Sequence, residues 1–525
     1  MAALNENATQ RYPFDSSSFE RIRKEGYIYV DKTAYIHSLI SEGQFFFLAR
    51  PRRFGKSLFL STLEQYFLGN RELFKGLEID RLQPDEWAAY PILHIDFTGT
   101  QYDDESSLDR FLEGVIESWC EQYDIKSNSY SYSEKFYDII RTLSQRLAKK
   151  VVVLIDEYDN PLTKTIDQPE LQDRYRDKLQ AFYSVLKKSD KYLKFCLLTG
   201  VSRYGKVSIF SGLNNLKDIT FSDRYAGICG ITYDELRKYY HEGILRLAKS
   251  ENINEDEAYS LIKDNYDGYH FSKCMLDVYN PFSINNVLTD LEIKDYWCQS
   301  GSPELLSRSL LHVDYDLESI AGTEVSETAL SNLSLYAINP IPLFYQTGYL
   351  TLKSYNKEDN LYTVGYPNKE VENGLLSNVL DVYAPTANDV VALISKLRKC
   401  LNDGDSEGYV KNMKAFLSGI PSNLKRNVGK YENYYHTIFY CVASLLGLKS
   451  EVEHNTAEGF IDMLVTTQRF IYIIEFKVNG TAESAIQQID ERNYASKFAQ
   501  DSRKLIKIGI GFSKKTGTIN SYIIN

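Results

Sequence analysis

At 525 residues the chain exceeds what one hydrophobic core usually supports, and its 43% hydrophobic and 25% charged residues are ordinary for a globular protein of about two to four domains. Its net charge of −11 argues against wholesale coating of nucleic acid, and the absence of any run of about 18 apolar residues argues against a membrane span. Seven scattered cysteines, an odd number without a CxxC pair, argue against a disulfide framework or zinc ribbon and predict a reducing, cytoplasmic setting.

The first residues, Met1 to Asn7, carry neither the basic nor the apolar region of a secretory signal. Gln44–Ala49 is a short apolar run that leads into a glycine-lysine loop, and Ser57–Phe67 then shows helical spacing at Leu58, Leu60, Leu63 and Phe67. Pro91–Phe97 reads as a strand, Glu134–Lys149 as a helix, and Val151–Ile155 and Lys194–Thr199 as two more strands. Continuous β-rich runs separated by helices predict a parallel sheet covered on both faces, hence an α/β class. From about Tyr225 to Leu311 the pattern turns helical. Residues 312–385 are mixed, with Leu343–Lys353 strand-like after two prolines. A helix is expected from Ala387 and a loop over Asn402–Glu407. From Glu432 to Ile524 the order helix, strand, strand, helix, strand is predicted. Residues 391–525 hold 18 basic and 13 acidic residues, a net of +5 on an otherwise acidic chain, which permits nucleic-acid contact there.

A nucleoside triphosphate needs a nest of backbone N–H groups at a helix N-terminus, a lysine for the β- and γ-phosphates and a hydroxyl for magnesium. Arg53-Phe54-Gly55-Lys56-Ser57 supplies these between a strand and a helix, with Arg50 where the usual first glycine stands. Val151–Ile155 leading into Asp156-Glu157 fits the second half of such a site: the aspartate reaches Mg²⁺ and the glutamate polarises the attacking water. An intervening strand at 91–97 fits the additional-strand branch of P-loop enzymes. After the next strand come Thr199-Gly200-Val201-Ser202-Arg203, offering a polar γ-phosphate sensor and an arginine to stabilise transition-state charge.

These motifs carry a resemblance. Phe19–Ile40 with Tyr29-Val30-Asp31-Lys32-Thr33, then Leu48–Leu63, Val153–Pro161 and Thr199–Gly212, resemble in order the AAA-ATPase-like family of bacterial proteins. Gly348–Leu350, Pro367–Val371 and Ile471–Lys477 look like later landmarks of the same family. The resemblance implies an ATPase module, with ATP and Mg²⁺ as cofactors, fused to a nuclease-like C-terminal domain; related ATPases assemble into rings or dimers, so a homo-oligomer is an expected state.

In the C-terminal region, Phe460–Val465 and Phe470–Val478 are apolar strands interrupted by Asp462, Glu475 and Lys477. Alternate strand residues share a face, so Glu475 and Lys477 point the same way. A hairpin with an even loop then sets Asp462 opposite or diagonal to Glu475. Two acids with a lysine make sense around a metal ion that activates water. Asp462…Glu475-Phe476-Lys477 resembles the PD-(D/E)XK nuclease pattern, and a following helix over Ala482–Ala499 brings Gln488 and Tyr494 as polar helpers. Either Glu453 or Glu432 completes the acidic set; His436 and His454 are read as core or surface residues.

The resulting expectation is a P-loop ATPase core over 10–225, a helical lid and mixed linker over 226–385 and a restriction-endonuclease-like α/β domain over 386–525. Glu157, Arg203, Asp462, Glu475, Lys477 and Gln488 are the candidate catalytic residues. Arg53 to Ser57 with Asp156 hold the nucleotide, and Ser57, Asp156, Asp462 and Glu475 are the metal ligands. DNA is preferred to RNA as substrate by fold analogy alone. The alternative is a nucleotide-switched regulatory or assembly protein whose nuclease-like domain binds nucleic acid or a partner without cutting.

Overall fold

The computed structural model of the protein describes residues 10–84, 87–127, 129–203, 209–210, 213, 215–300, 317–331, 339–385, 389–420, 431–456, 459–513 and 517–525; at 299–300, 431–436, 449–456 and 459–461 it describes the backbone alone. The chain divides into two compact units: 1–301 with 322–337 and 341–370, and 302–321 with 338–340 and 371–525. Among the described residues no helix is long and apolar enough to cross a membrane.

In the first unit Phe45–Ala49 (β1), Ile92–Asp96 (β2), Val151–Asp156 (β3), Leu193–Gly200 (β4) and the two-residue Lys217–Asp218 (β5) form a parallel sheet in the order β2-β3-β4-β1-β5. Every residue of β1 and β3 is buried, as strands covered on both faces require. The strand that separates β1 from the acid-bearing β3 is β4; the 91–97 segment, read as the intervening strand, forms the sheet edge as β2. Helices Ser107–Tyr123, Tyr132–Leu147 and Pro169–Lys188 pack Leu112, Ile116, Phe136, Ile140, Leu179 and Phe182 into one core with the sheet.

The helices beyond β5 build a second core in the same unit. Tyr233–Glu251, Glu255–Tyr266 and Pro281–Asp290 bury Leu236, Tyr240, Ile244, Ile262, Ile284 and Leu288 together. Their starts are local: capping boxes at Thr232/Glu235 and Asn254/Glu257, and an Asn280 cap followed by Pro281 in the first turn. Glu324–Val325 (β6), Thr351–Asn356 (β7) and Leu361–Gly365 (β8) form a small antiparallel sheet in the order β6-β8-β7.

The strand expected over Leu343–Lys353 is instead a helix, Ile341–Thr347, that turns into β7. A short wholly apolar run does not distinguish helix from strand by periodicity. Pro342 suits a first helical turn, and Gly348 at φ 93° closes the helix: its N–H reaches the Tyr345 carbonyl and that of Tyr349 the Phe344 carbonyl.

The second unit contains helices Val390–Asp403, Ser406–Gly419 and Tyr431–Leu445 and a sheet of Lys449–Thr456 (β9), Gly459–Thr466 (β10), Phe470–Val478 (β11), Lys504–Ser513 (β12) and Thr518–Ile524 (β13). The order is β13-β12-β11-β10-β9, with β11 and β12 parallel and the other pairs antiparallel. Two strands thus exceed the expected order, β9 and β13. Both mix polar and apolar residues, which hid them from a hydrophobic pattern. The loop expected over Asn402–Glu407 contracts to Gly404 and Asp405 between two helices. Leu464, Ile471, Ile473, Ile486, Ile489 and Tyr494 form the local core. The helix after β11 ends at Glu491, short of Ala499, and Tyr494 lies in a following 3-10 turn with its ring in that core.

Candidate functional site

The P-loop follows β1 directly. Arg53 at φ 69° and Gly55 at φ 93° turn the chain so that helix Lys56–Phe67 starts on Lys56. Arg50, at the usual glycine position, is 1% exposed. Its guanidinium donates to the carbonyls of Ala49, Thr220 and Tyr225 and lies 4.3 Å from the Phe271 ring centroid. Its charge is therefore spent inside the fold, whereas Arg52 and Arg53 line the cavity outside. Phe54 is wedged edge-on against Tyr269 and Phe271. The indole N–H of Trp297 donates to the Arg52 carbonyl at 3.2 Å.

Arg53, Phe54, Gly55, Lys56, Ser57 and Glu157 line one cavity of about 520 Å³, a size suited to a small ligand. Lys56 Nζ donates to the carbonyls of Arg50 (3.0 Å) and Pro51 (3.2 Å) and lies 3.2 Å from Glu157 Oε1. Asp156 sits behind the cavity wall, buried, where its Oδ1 accepts from the Thr199 hydroxyl and the Glu157 N–H. Thr199, at the end of β4, is thus hydrogen-bonded to the first acid of the pair. Arg203 is placed otherwise: it pairs with Asp218 at 2.7 Å, donates to Ser331, lies 3.7 Å from Glu327 and is absent from the cavity lining.

Sequence reading missed three supports. Asp159, fully buried, accepts from the N–H groups of Val201 (3.2 Å) and Ser202 (2.7 Å) and from the Ser202 hydroxyl. Burial, and next the charge of Glu157, raises its carboxyl to about 6. A Cβ at Gly200 would come within 2.5 Å of Asp159 Oδ1, so the end of β4 and the Asp159 turn are fitted to each other. Asp159→Ala would remove the carboxylate that accepts these three hydrogen bonds. We expect a loss of about 3 kcal/mol or more, read as a lower urea midpoint at unchanged slope. Lys32 is a second support: it donates to Glu235 and the Gly227 carbonyl, tying the N-terminal segment to helix Tyr233–Glu251. Asp31 is the third, accepting from the N–H groups of Thr33 and Glu78 at two helix starts. Tyr29-Val30-Asp31-Lys32-Thr33 had stood out as a motif, but nothing local discloses partners so far along the chain.

The second cluster lies in the other unit. The β10–β11 register pairs Met463 with Ile474, which sets Asp462 beside Glu475. The Phe476 N–H donates to Asp462 Oδ2 at 2.7 Å, and the Asp462 N–H to Glu475 Oε2 at 3.4 Å. Lys477 Nζ donates to Glu475 Oε1 at 3.3 Å, and Gln488, from helix Ala482–Glu491, donates to the same oxygen. Gly509 of β12 lies beside Glu475, and a Cβ there would meet Ala482 O at 2.6 Å, so bare backbone lets the Gln488 helix sit close. Asp462, Glu475, Lys477 and Gln488 are therefore brought together. Among the described residues no further His, Cys, Asp or Glu joins them. The side chains of Glu432, His436, Glu453 and His454 lie outside the described residues.

Glu475 is 0% exposed, and burial, reinforced by Asp462, raises its carboxyl from 4.5 to about 7. Lys477 therefore does not fully compensate the pair. Two hard oxygen donors with uncompensated negative charge fit a divalent cation such as Mg²⁺. Without metal, the folded state binds more protons than the unfolded state between pH 4.5 and about 7, so stability falls as pH rises through that window and levels off above it. Glu475→Gln removes this titration. Its melting temperature in chelator is expected to gain on the parent from pH 5 to pH 8; a gap that does not widen would contradict the assignment.

With this geometry in view, comparison with known proteins defines the class. Residues 13–210 match the family described as predicted AAA-ATPase, and residues 430–522 match the PD-(D/E)XK nuclease superfamily. The chain is 32% identical over 525 residues, 98% of its own length and 99% of the other's, to the "Uncharacterized protein in vnfD 5'region" of Azotobacter chroococcum mcd 1. The chain belongs to this family of predicted AAA-ATPases with a PD-(D/E)XK nuclease domain. Among solved structures, Cdc6p of Pyrobaculum aerophilum matches at 10% identity over 72% of this chain and 96% of that one, with a TM-score of 0.26. The ORC2 protein of Aeropyrum pernix matches at 12% over 68% and 98%, also with a TM-score of 0.26. Similarity that low carries no argument about function.

Proposed function

We propose that the chain is an ATP-hydrolysing P-loop ATPase (core 10–225, helical lid and linker 226–385) joined to a Mg²⁺-dependent nuclease domain (386–525) that cuts DNA. The observation that carries this reading is the convergence of Lys56, Ser57 and Glu157 on one cavity, with Asp156 and Thr199 directly behind. Backbone N–H groups at the start of helix Lys56–Phe67 and the Lys56 ammonium would hold the phosphates. Ser57 and Asp156 would hold Mg²⁺, which supplies charge neutralisation at the phosphates when bound. Glu157 orients and deprotonates the attacking water. To meet phosphate, Lys56 must exchange its bond to Glu157, and that exchange frees the glutamate for water.

In the second unit Asp462 and Glu475 would hold the metal, which supplies activation of water. Lys477 steadies the nucleophile or the phosphate, and Gln488 orients Glu475. Arg203, engaged by Asp218, is assigned no direct role within one chain. A homo-oligomer and a cytoplasmic location complete the proposal. Phosphate release from ATP with Mg²⁺, with and without DNA, tests it. Release by the parent that DNA stimulates supports the coupled enzyme. Tight nucleotide binding without release in any condition favours the regulatory alternative.

A further inference from the structure

The cavity lining combines two kinds of residue: Gly55, Lys56, Ser57 and Glu157 of the phosphate-binding motifs, and the apolar side chains of Phe14, Ile28, Val30, Ile231 and Phe282. Phe14 is 46% exposed although aromatic, and Phe282 presents one face to Arg53, whose guanidinium carbon lies 4.6 Å from the ring centroid. Apolar walls beside a phosphate site suit a planar base. A buried amide is set among them. Asn285, on the second turn of helix Pro281–Asp290, is 5% exposed and lines the cavity. Its Oδ1 accepts from the Tyr240 hydroxyl at 3.1 Å, and Tyr240 is itself stacked on Tyr12. Its Nδ2 has no hydrogen-bond partner among the described residues and is not sealed from the cavity. Buried polar groups are normally paired, so a donor held in place and left open at a ligand cavity marks a contact meant for the ligand.

We propose that Asn285, anchored by Tyr240, reads the base of the bound nucleotide and selects adenine over guanine. The inference rests on the nucleotide-site reading above and adds base specificity to it. With one Oδ1 lone pair taken by Tyr240, the amide offers one open donor and one open acceptor side by side. Adenine matches that couple with its exocyclic amine and the adjacent ring nitrogen. Guanine presents two acceptors on its O6/N7 edge, which set an oxygen against Oδ1. Its other edge adds a second donor, the N2 amine, for which the Asn285 amide, with one lone pair already taken by Tyr240, holds no second acceptor. Burial pushes the Tyr240 hydroxyl well up in pKa, so it stays a donor and holds the amide in one orientation.

The test measures dissociation constants of MgATP, MgGTP and inorganic tripolyphosphate for the full chain and for Asn285→Leu, Asn285→Asp and Tyr240→Phe. The last two keep side-chain volume, and tripolyphosphate reports on the P-loop alone. The parent is expected to bind ATP about 10- to 100-fold tighter than GTP. Asn285→Leu should lose that factor for ATP at unchanged tripolyphosphate affinity, Asn285→Asp should erase or reverse the preference, and Tyr240→Phe should reduce it. Equal binding of ATP and GTP by the parent, or a preference that survives in Asn285→Asp, overturns the base-reading role while the nucleotide site stands. Failure of the parent to bind any of the three ligands overturns the nucleotide site and this role with it.

Discussion

Glu157→Gln is expected to slow phosphate release by about 10²- to 10⁴-fold, the range in which a positioned general base contributes. Its effect on binding should run the other way. In the parent, Lys56 Nζ is divided among two loop carbonyls and the Glu157 carboxylate. The amide keeps the shape but loses the charge that competes with phosphate for the lysine. MgATP affinity is therefore expected to hold or rise as turnover collapses. Lys56→Ala gives the contrasting pattern, losing affinity and turnover together. Single-turnover hydrolysis alongside equilibrium binding separates the two. A Glu157→Gln protein that turns over like the parent would remove Glu157 from the chemistry.

Asp462→Ala and Lys477→Ala are each expected to lower metal-dependent DNA cleavage by about 10²-fold or more. The two should differ in metal titration. Asp462→Ala removes a ligand and weakens Mg²⁺ dependence itself, whereas Lys477→Ala keeps both carboxylates and should retain metal affinity while losing rate. Cleavage by the parent should also fall as pH drops below about 7, because Glu475 then takes up a proton and ceases to be an anionic ligand. Saturating metal competes with that proton and should shift the fall to lower pH. If both variants cut as well as the parent, the cluster is not the active centre.

The parts legible in the sequence share one property: their chemistry and their placement lie within a few residues. Gly55-Lys56-Ser57 between a strand and a helix, Asp156-Glu157 at the end of an apolar strand, and Glu475 two positions from Lys477 are each set by local periodicity. The parts that were not legible depend on residues far apart. Lys32 meets Glu235 across 203 positions, and Tyr240 meets Asn285 across 45. Arg203 looks like an available arginine in its own segment, yet Asp218 and Glu327 claim it. Arg50 looks like a basic loop residue and is a buried prop instead.

The sequence by itself determined the parallel α/β core, the P-loop and its acid pair, and the hairpin that carries the second pair of carboxylates. Alternation of apolar and polar residues and strand-end motifs are properties of adjacent positions, which a linear text preserves. Only the tertiary structure decided that β4 separates β1 from β3, that Ile341–Thr347 is helical, and that Glu475 is wholly buried beside Asp462. It also decided which arginines face the cavity and which are tied down. Burial and pairing depend on what the rest of the chain brings alongside, and both the desolvation that raises Glu475 and the hydrogen bond that orients Asn285 exist only after the fold has closed.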